Sequence, residues 1–92
     1  MMIAKRVHFE GRVQGVGFRY TCRELSKGFE VVGTVKNLAD GRVEMEVMGE
    51  EEELEDFIHE IAVESAVASG IKNHIVQEIE PLEDCRGFSI IN

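Results

Sequence analysis

Hydrophobic and polar positions along this chain follow two different periods, one after the other. From Lys5 to Glu10 they alternate singly. Val7 and Phe9 point to one face and Arg6, His8 and Glu10 to the other, which predicts a strand over about residues 4–13. Phe18, Cys22, Leu25 and Phe29 then fall at i, i+4, i+7 and i+11, the single stripe of an amphipathic helix over about 18–28, with Gly28 as its stop. The β-branched run Glu30 to Asn37 predicts a second strand. Asp40-Gly41 is a hairpin-turn signal, because both residues tolerate positive φ. Arg42 to Met48 alternates again, with Val43, Met45 and Val47 facing inward, and Gly49 is expected to break this third strand. Glu50 to Glu53 place carboxylates at the positive end of a second helix, whose stripe Leu54, Phe57, Ile58 and Ile61 carries it to about Glu64. Residues 65–70 are too weakly patterned to assign. Asn73 to Glu80 reads as a fourth strand, Pro81 to Gly87 as a turn, and Phe88 to Ile91 as a short last strand.

The order is βαββαβ with a terminal strand. Two helices with one apolar stripe each can both be buried on one face of one sheet. With a right-handed first crossover, the hairpin's return strand fills the gap between the first two strands. The expected fold is therefore α+β: a ferredoxin-like split-βαβ sandwich, an antiparallel sheet with two helices on one face, and a single domain over residues 1–92. In that topology the second strand runs parallel to the first. Its C-terminal end, at Asn37, then lies at the same sheet edge as the segment between the first strand and first helix.

Composition narrows the functional classes. The net charge of −8 is unevenly spread: residues 1–42 hold eight Lys/Arg and four Asp/Glu, whereas residues 43–92 hold two and fourteen. So acidic a surface repels nucleic acid and anionic membranes, and neither is an expected partner. The basic half suits a small anion drawn to one place. Met1 to Arg6 is too short and too soon charged for a secretory signal, and no apolar run approaches a membrane span, so a cytoplasmic monomer is the default expectation. Cys22 belongs to the helix stripe and reads as a small buried hydrophobe. Cys85, in a polar turn, reads as a free exposed thiol, and a reducing compartment disfavours pairing the two. His8, His59 and His74 lie on three different elements, with no spacing for a metal site or a catalytic pair.

The chemistry concentrates in Gly11-Arg12-Val13-Gln14-Gly15-Val16-Gly17-Phe18-Arg19, where strand turns into helix. Gly15 and Gly17 allow a left-handed backbone and close approach to a ligand. Successive amides there can converge on an anion, with the positive helix end behind them. Arg19, just inside the helix, can add a planar bidentate guanidinium. A plainer reading is that the glycines only make a tight turn and Arg19 is solvated. Asn37 likewise has two readings. Its amide can hold a water without charging it, or it can open the hairpin turn through a local hydrogen bond.

Two motifs together resemble the acylphosphatase family. They are Gly11-x-Val13-Gln14-Gly15-Val16-x-Phe18-Arg19 and Gly33-x-Val35-x-Asn37-x-x-Asp40-Gly41-x-Val43-Glu44, and the closing Gly87-Phe88-x-Ile90 is similar to that family's last strand. The resemblance implies hydrolysis of acyl phosphates to carboxylate and orthophosphate, with no metal and no cofactor. It implies that the loop Gln14, Gly15, Val16, Gly17, Phe18 and Arg19 cradles the phosphoryl group, that Arg19 is the main binder, and that Asn37 orients the attacking water. Thr34 stands where the family often has an aromatic residue, and residues 65–72 lack a glycine-proline turn common in it. Two other readings share the loop: a carbamoyl-phosphate-directed domain like that of hydrogenase-maturation proteins, and a phosphate-binding module without turnover. An RNA-binding sheet would need aromatic platforms where the third strand has Glu44 and Glu46, and a copper carrier would need a C-x-x-C loop that is absent.

Overall fold

The alternating runs assemble into a five-stranded sheet in the computed structural model, which describes residues 1–92. The elements are β1 (Met2–Gly11), α1 (Phe18–Ser26), β2 (Val31–Asn37), β3 (Val43–Glu50), α2 (Glu51–His59), β4 (Ile71–Ile79) and β5 (Phe88–Ile90). Strand order is β4-β1-β3-β2-β5. β3 lies antiparallel between β1 and β2, so β1 and β2 are mutually parallel, as the split-βαβ reading requires. The register puts Phe9, Val43 and Asn37 in one row across these three strands. Asn37 thus stands level with the end of β1, where the glycine loop departs.

One face of the sheet is apolar and fully buried: Val7 and Phe9 from β1, Val35 from β2, and Val43, Met45 and Val47 from β3. The helix stripes close over it, through Phe18 and Cys22 on α1 and through Leu54, Phe57 and Ile58 on α2. Phe9 meets Phe18 at 4.9 Å between ring centroids, which ties the first residue of α1 to the strand that precedes the loop. The other face is polar and carries short contacts, an Arg6–Glu46 ion pair at 2.7 Å and a His8–Glu44 hydrogen bond at 3.0 Å. Carboxylates of Glu51, Glu52 and Glu53 occupy the first turn of α2, where the helix dipole favours them.

Several details differ from the sequence reading. β1 spans 2–11 rather than 4–13 and ends in an irregular register at Glu10/Gly11. α1 stops at Ser26, so Phe29 reaches the core from the following turn, packing on Phe57 at 5.4 Å. Gly49 does not break β3. It lies inside the strand, paired with both neighbours, at a position where a Cβ would sit 2.8 Å from the Glu30 carbonyl oxygen. The second helix does run to Glu64, but its last residues, Glu60–Glu64, widen into a π-helical turn. A short 3₁₀ turn at Ala68–Gly70 fills the unassigned stretch and leads into β4, which begins at Ile71. β5 pairs with β2 in parallel, from Gly33↔Phe88 to Val35↔Ile90, so an otherwise antiparallel sheet is mixed at this edge. Cys85 is half-buried rather than exposed, and both cysteines are free thiols.

Candidate active site

The loop geometry follows from its glycines. Gly15 and Gly17 have φ of 77° and 78°, conformations that strain any residue bearing a Cβ. Gly17 is also the N-cap of α1, with its carbonyl accepting from Thr21 N–H at 3.0 Å. None of the backbone N–H groups from Gly15 to Arg19 donates a hydrogen bond within the chain. These are the unpartnered amides of a helix start, together with those of the loop leading into it.

A cavity of about 280 Å³ opens against this turn, lined by Gly15, Gly17, Phe18 and Arg19 on one side and by Asn37 across the sheet edge. Val13, Tyr20, Ile90 and Asn92 complete its walls. No Asp, Glu or His is among them, so Arg19 brings a positive charge without a neighbouring carboxylate side chain in the cavity. The Arg19 Nη1 donates to Asn92 Oδ1 at 3.2 Å, a contact that orients the guanidinium.

Asn37 is half-buried, and its side chain makes no hydrogen bond within the chain. In the hairpin that follows, Asp40 Oδ1 accepts from Arg42 N–H at 3.0 Å and Oδ2 from Arg42 Nε at 2.9 Å. The backbone bond from Arg42 N–H, with help from the guanidinium, holds the Asp40 carboxyl below its ordinary 3.8. The Asn37 amide is therefore free to act on what enters the cavity.

Two loop residues act elsewhere. Gln14 sends its amide nitrogen to the carbonyls of Leu38 and Arg42, at 2.8 and 2.9 Å, bolting the loop to the hairpin turn that follows Asn37. Val16 is 40% exposed and its side chain faces a neighbouring groove with Arg12 and Val67. Gly15, Gly17, Phe18, Arg19 and Asn37 are thus brought together, whereas the side chains of Gln14 and Val16 are outside the cavity. Tyr20, Ile90 and Asn92 went unassigned as site residues from the sequence. Tyr20 could have been suggested by its place beside Arg19, but the Arg19–Asn92 contact joins residues 73 apart and has no local signal.

Comparison with known proteins agrees with this fold. A family model described as Acylphosphatase matches residues 5–90. The acylphosphatase of Listeria welshimeri is 42% identical over 81 residues, which cover 88% of this chain and 87% of the relative. The crystal structure of acylphosphatase from Bacillus subtilis has a TM-score of 0.88 and 36% identity, with both chains covered in full. The T. kodakarensis HypF structure, at a TM-score of 0.84 and 32% identity, aligns with 98% of this chain but only 12% of its own. The chain belongs to the acylphosphatase family.

Proposed function

We propose that this acylphosphatase hydrolyses the carboxyl–phosphate bond of acyl phosphates at the Arg19–Asn37 cavity, using position and charge alone. One observation supports the reading above the others. A guanidinium, a set of unpartnered amides and an unengaged carboxamide line the same small cavity. The amides from Gly15 to Arg19 and the Arg19 fork hold the three phosphoryl oxygens, and bidentate contact fixes the group's orientation. Asn37 accepts from and donates to a water on the face of phosphorus opposite the acyl oxygen. The water oxygen bonds to phosphorus as the phosphorus–acyl oxygen bond breaks. The acyl group departs as a carboxylate, and the water's proton passes to a phosphate oxygen or to solvent.

A carboxylate is a good leaving group, so no strong base is required, and alignment of water, phosphorus and leaving oxygen supplies much of the acceleration. The positive charge needed in the transition state comes from Arg19 and the amide dipoles, so the reaction proceeds without a metal. All of these groups belong to one chain, and a single protomer is a complete catalytic unit. Identity of 42% with the Listeria welshimeri acylphosphatase, against 32% with HypF, favours this reading over a carbamoyl-phosphate-directed domain.

The test is an assay of benzoyl phosphate beside carbamoyl phosphate in excess chelator. The reading predicts unimpaired turnover of benzoyl phosphate, competitive inhibition by orthophosphate, and loss of most phosphate affinity in Arg19→Lys, whose point charge cannot replace the planar fork. Activity that stops on chelation and returns with one added cation would overturn the metal-free mechanism. Preferential turnover of carbamoyl phosphate would overturn the substrate assignment.

A further inference from the structure

The cavity has more room than a phosphoryl group needs. Its 280 Å³ corresponds to about nine waters at ~30 Å³ each, whereas a phosphoryl group and an attacking water together have only about five heavy atoms. The remaining space is bounded by walls that the hydrolytic mechanism leaves unused: Val13, Tyr20, Ile90 and Asn92. Val13 is buried, and the Asn92 side chain is engaged by Arg19. Ile90 pairs with Val35, below the level of Asn37, and packs against the core. Tyr20 is the large wall residue presented to solvent, 56% exposed. The Arg23 guanidinium lies over its ring, with Cζ 5.4 Å from the centroid, a cation–π contact that restrains the ring where it stands.

Position and chemistry give this wall a use. In an in-line displacement the leaving oxygen departs on the face of phosphorus opposite the attacking water. With the water at Asn37, on the sheet edge, the acyl group extends toward the α1 side of the cavity, where Tyr20 follows Arg19. Arg19 is the one charged side chain lining the cavity, and the phosphoryl group takes it. No charged side chain is left to recognise an ionic acyl group, whereas an aromatic ring is. We propose that Tyr20 is the acyl-group contact: an aromatic or large apolar acyl group packs on its ring, and acyl phosphates of that class are hydrolysed in preference to acetyl phosphate. The inference rests on the hydrolytic reading above and adds a substrate class to it. Contact between two rings removes apolar area from water and adds a favourable ring–ring term, neither of which a lone methyl group supplies to the same extent. Tyr20 stands away from the phosphoryl oxygens, so phosphate affinity does not depend on it.

The test compares benzoyl phosphate with acetyl phosphate on the full chain and on Tyr20→Ala and Tyr20→Phe. The unaltered chain should favour benzoyl phosphate in kcat/KM. Tyr20→Ala should lower kcat/KM for benzoyl phosphate by about tenfold, chiefly through KM, and change that for acetyl phosphate by less than about twofold. Inhibition by orthophosphate should be unaltered, which also shows that the variant's phosphoryl site is folded. Tyr20→Phe keeps the ring and should behave as the parent. Binding of benzoylphosphonate and acetylphosphonate, non-hydrolysable analogues in which the acyl carbon is bonded directly to phosphorus, supplies a second readout. Benzoylphosphonate should bind more tightly, and Tyr20→Ala should abolish the difference. Failure of the hydrolytic reading would show separately, as no turnover of either acyl phosphate, and the phosphonate pair would still decide the role of Tyr20. The proposal is overturned if the unaltered chain shows no preference for the benzoyl compounds, or if Tyr20→Ala affects both acyl groups equally. A Tyr20→Phe variant as impaired as Tyr20→Ala would also overturn it, because the hydroxyl and not the ring would then carry the effect.

Discussion

Gln14 offers a quantitative check on how the site is held. Gln14→Ala removes two hydrogen bonds, to the carbonyls of Leu38 and Arg42 at 2.8 and 2.9 Å. A typical intramolecular hydrogen bond contributes about 0.5–1.5 kcal/mol net. Neither acceptor is left alone, since Leu38 O also receives Gly41 N–H at 3.2 Å and Arg42 O also receives Leu38 N–H at 2.8 Å. The loss should therefore stay near 1–2 kcal/mol, which for a domain of this size lowers the thermal midpoint by roughly 5–15 °C. Gln14→Glu should fall at least as far, because a carboxylate would place acceptors against two carbonyl acceptors. Leu38 directly follows Asn37, so the same loosening shifts Asn37 relative to the loop. In the folded Gln14→Ala protein kcat should drop by about tenfold, while phosphate Kd should change by less than about threefold. Thermal denaturation, steady-state kinetics and phosphate titration on the two variants supply the readouts. A Gln14→Glu protein as stable as the parent would refute the clamp.

Two further outcomes concern the interior. Burial pushes the Cys22 thiol from its ordinary 9.0 up to about 12, so the unfolded chain ionises first and stability tied to the neutral buried thiol is intact below pH 9 and lost as pH rises toward 12. Denaturant midpoints between pH 8 and 11 should fall more steeply for the parent than for Cys22→Ala, by about 2–3 kcal/mol at pH 11, and parallel curves would contradict this. Gly33→Ala would put a Cβ 2.1 Å from the Glu46 carbonyl oxygen and 2.9 Å from Val47 Cα, both backbone atoms of the adjacent strand. It should cost about 2–4 kcal/mol in chemical denaturation, and an unchanged midpoint would show that β2 and β3 are less closely held than their register implies.

What the chain made legible was local or periodic. The stripes of Val7 and Phe9, of Phe18 and Cys22, and of Leu54, Phe57 and Ile58 located the core because burial requires apolar residues at the period of each element. Asp40-Gly41 announced its hairpin, and paired glycines ahead of Arg19 announced the loop. What stayed hidden depends on distant partners. The parallel direction of β5 is settled by which edge its residues reach, Gly33↔Phe88 onward, and not by its own composition. Gly49 looked like a breaker because its reason for being glycine, the Glu30 carbonyl, lies in another segment. Gln14 sits within the anion-loop motif, yet its side chain serves the hairpin. That the Asn37 side chain makes no turn hydrogen bond is a property of the folded hairpin, which its place in the sequence did not reveal. The exposure of β4 was invisible for a related reason. Ile75 and Val76 look like core residues until the sheet order places them at an uncovered edge.

The most direct measurement of the catalytic account is made on Asn37→Ala, following kcat, phosphate Kd and the unfolding midpoint together. On the proposed mechanism, Arg19 and the loop amides bind the phosphoryl group in ground and transition states alike and Asn37 acts on the attacking water, which puts its effect in kcat. Because the Asn37 side chain makes no hydrogen bond within the chain, removing its amide should leave the midpoint within about 0.5 kcal/mol of the parent, as for a substitution away from any structural contact. Phosphate should bind nearly as before, and kcat should fall by roughly a hundredfold or more, the scale expected for losing a positioning group. A folded Asn37→Ala protein with near-normal kcat would contradict the mechanism, and one that lost stability in proportion to its activity would return Asn37 to the turn.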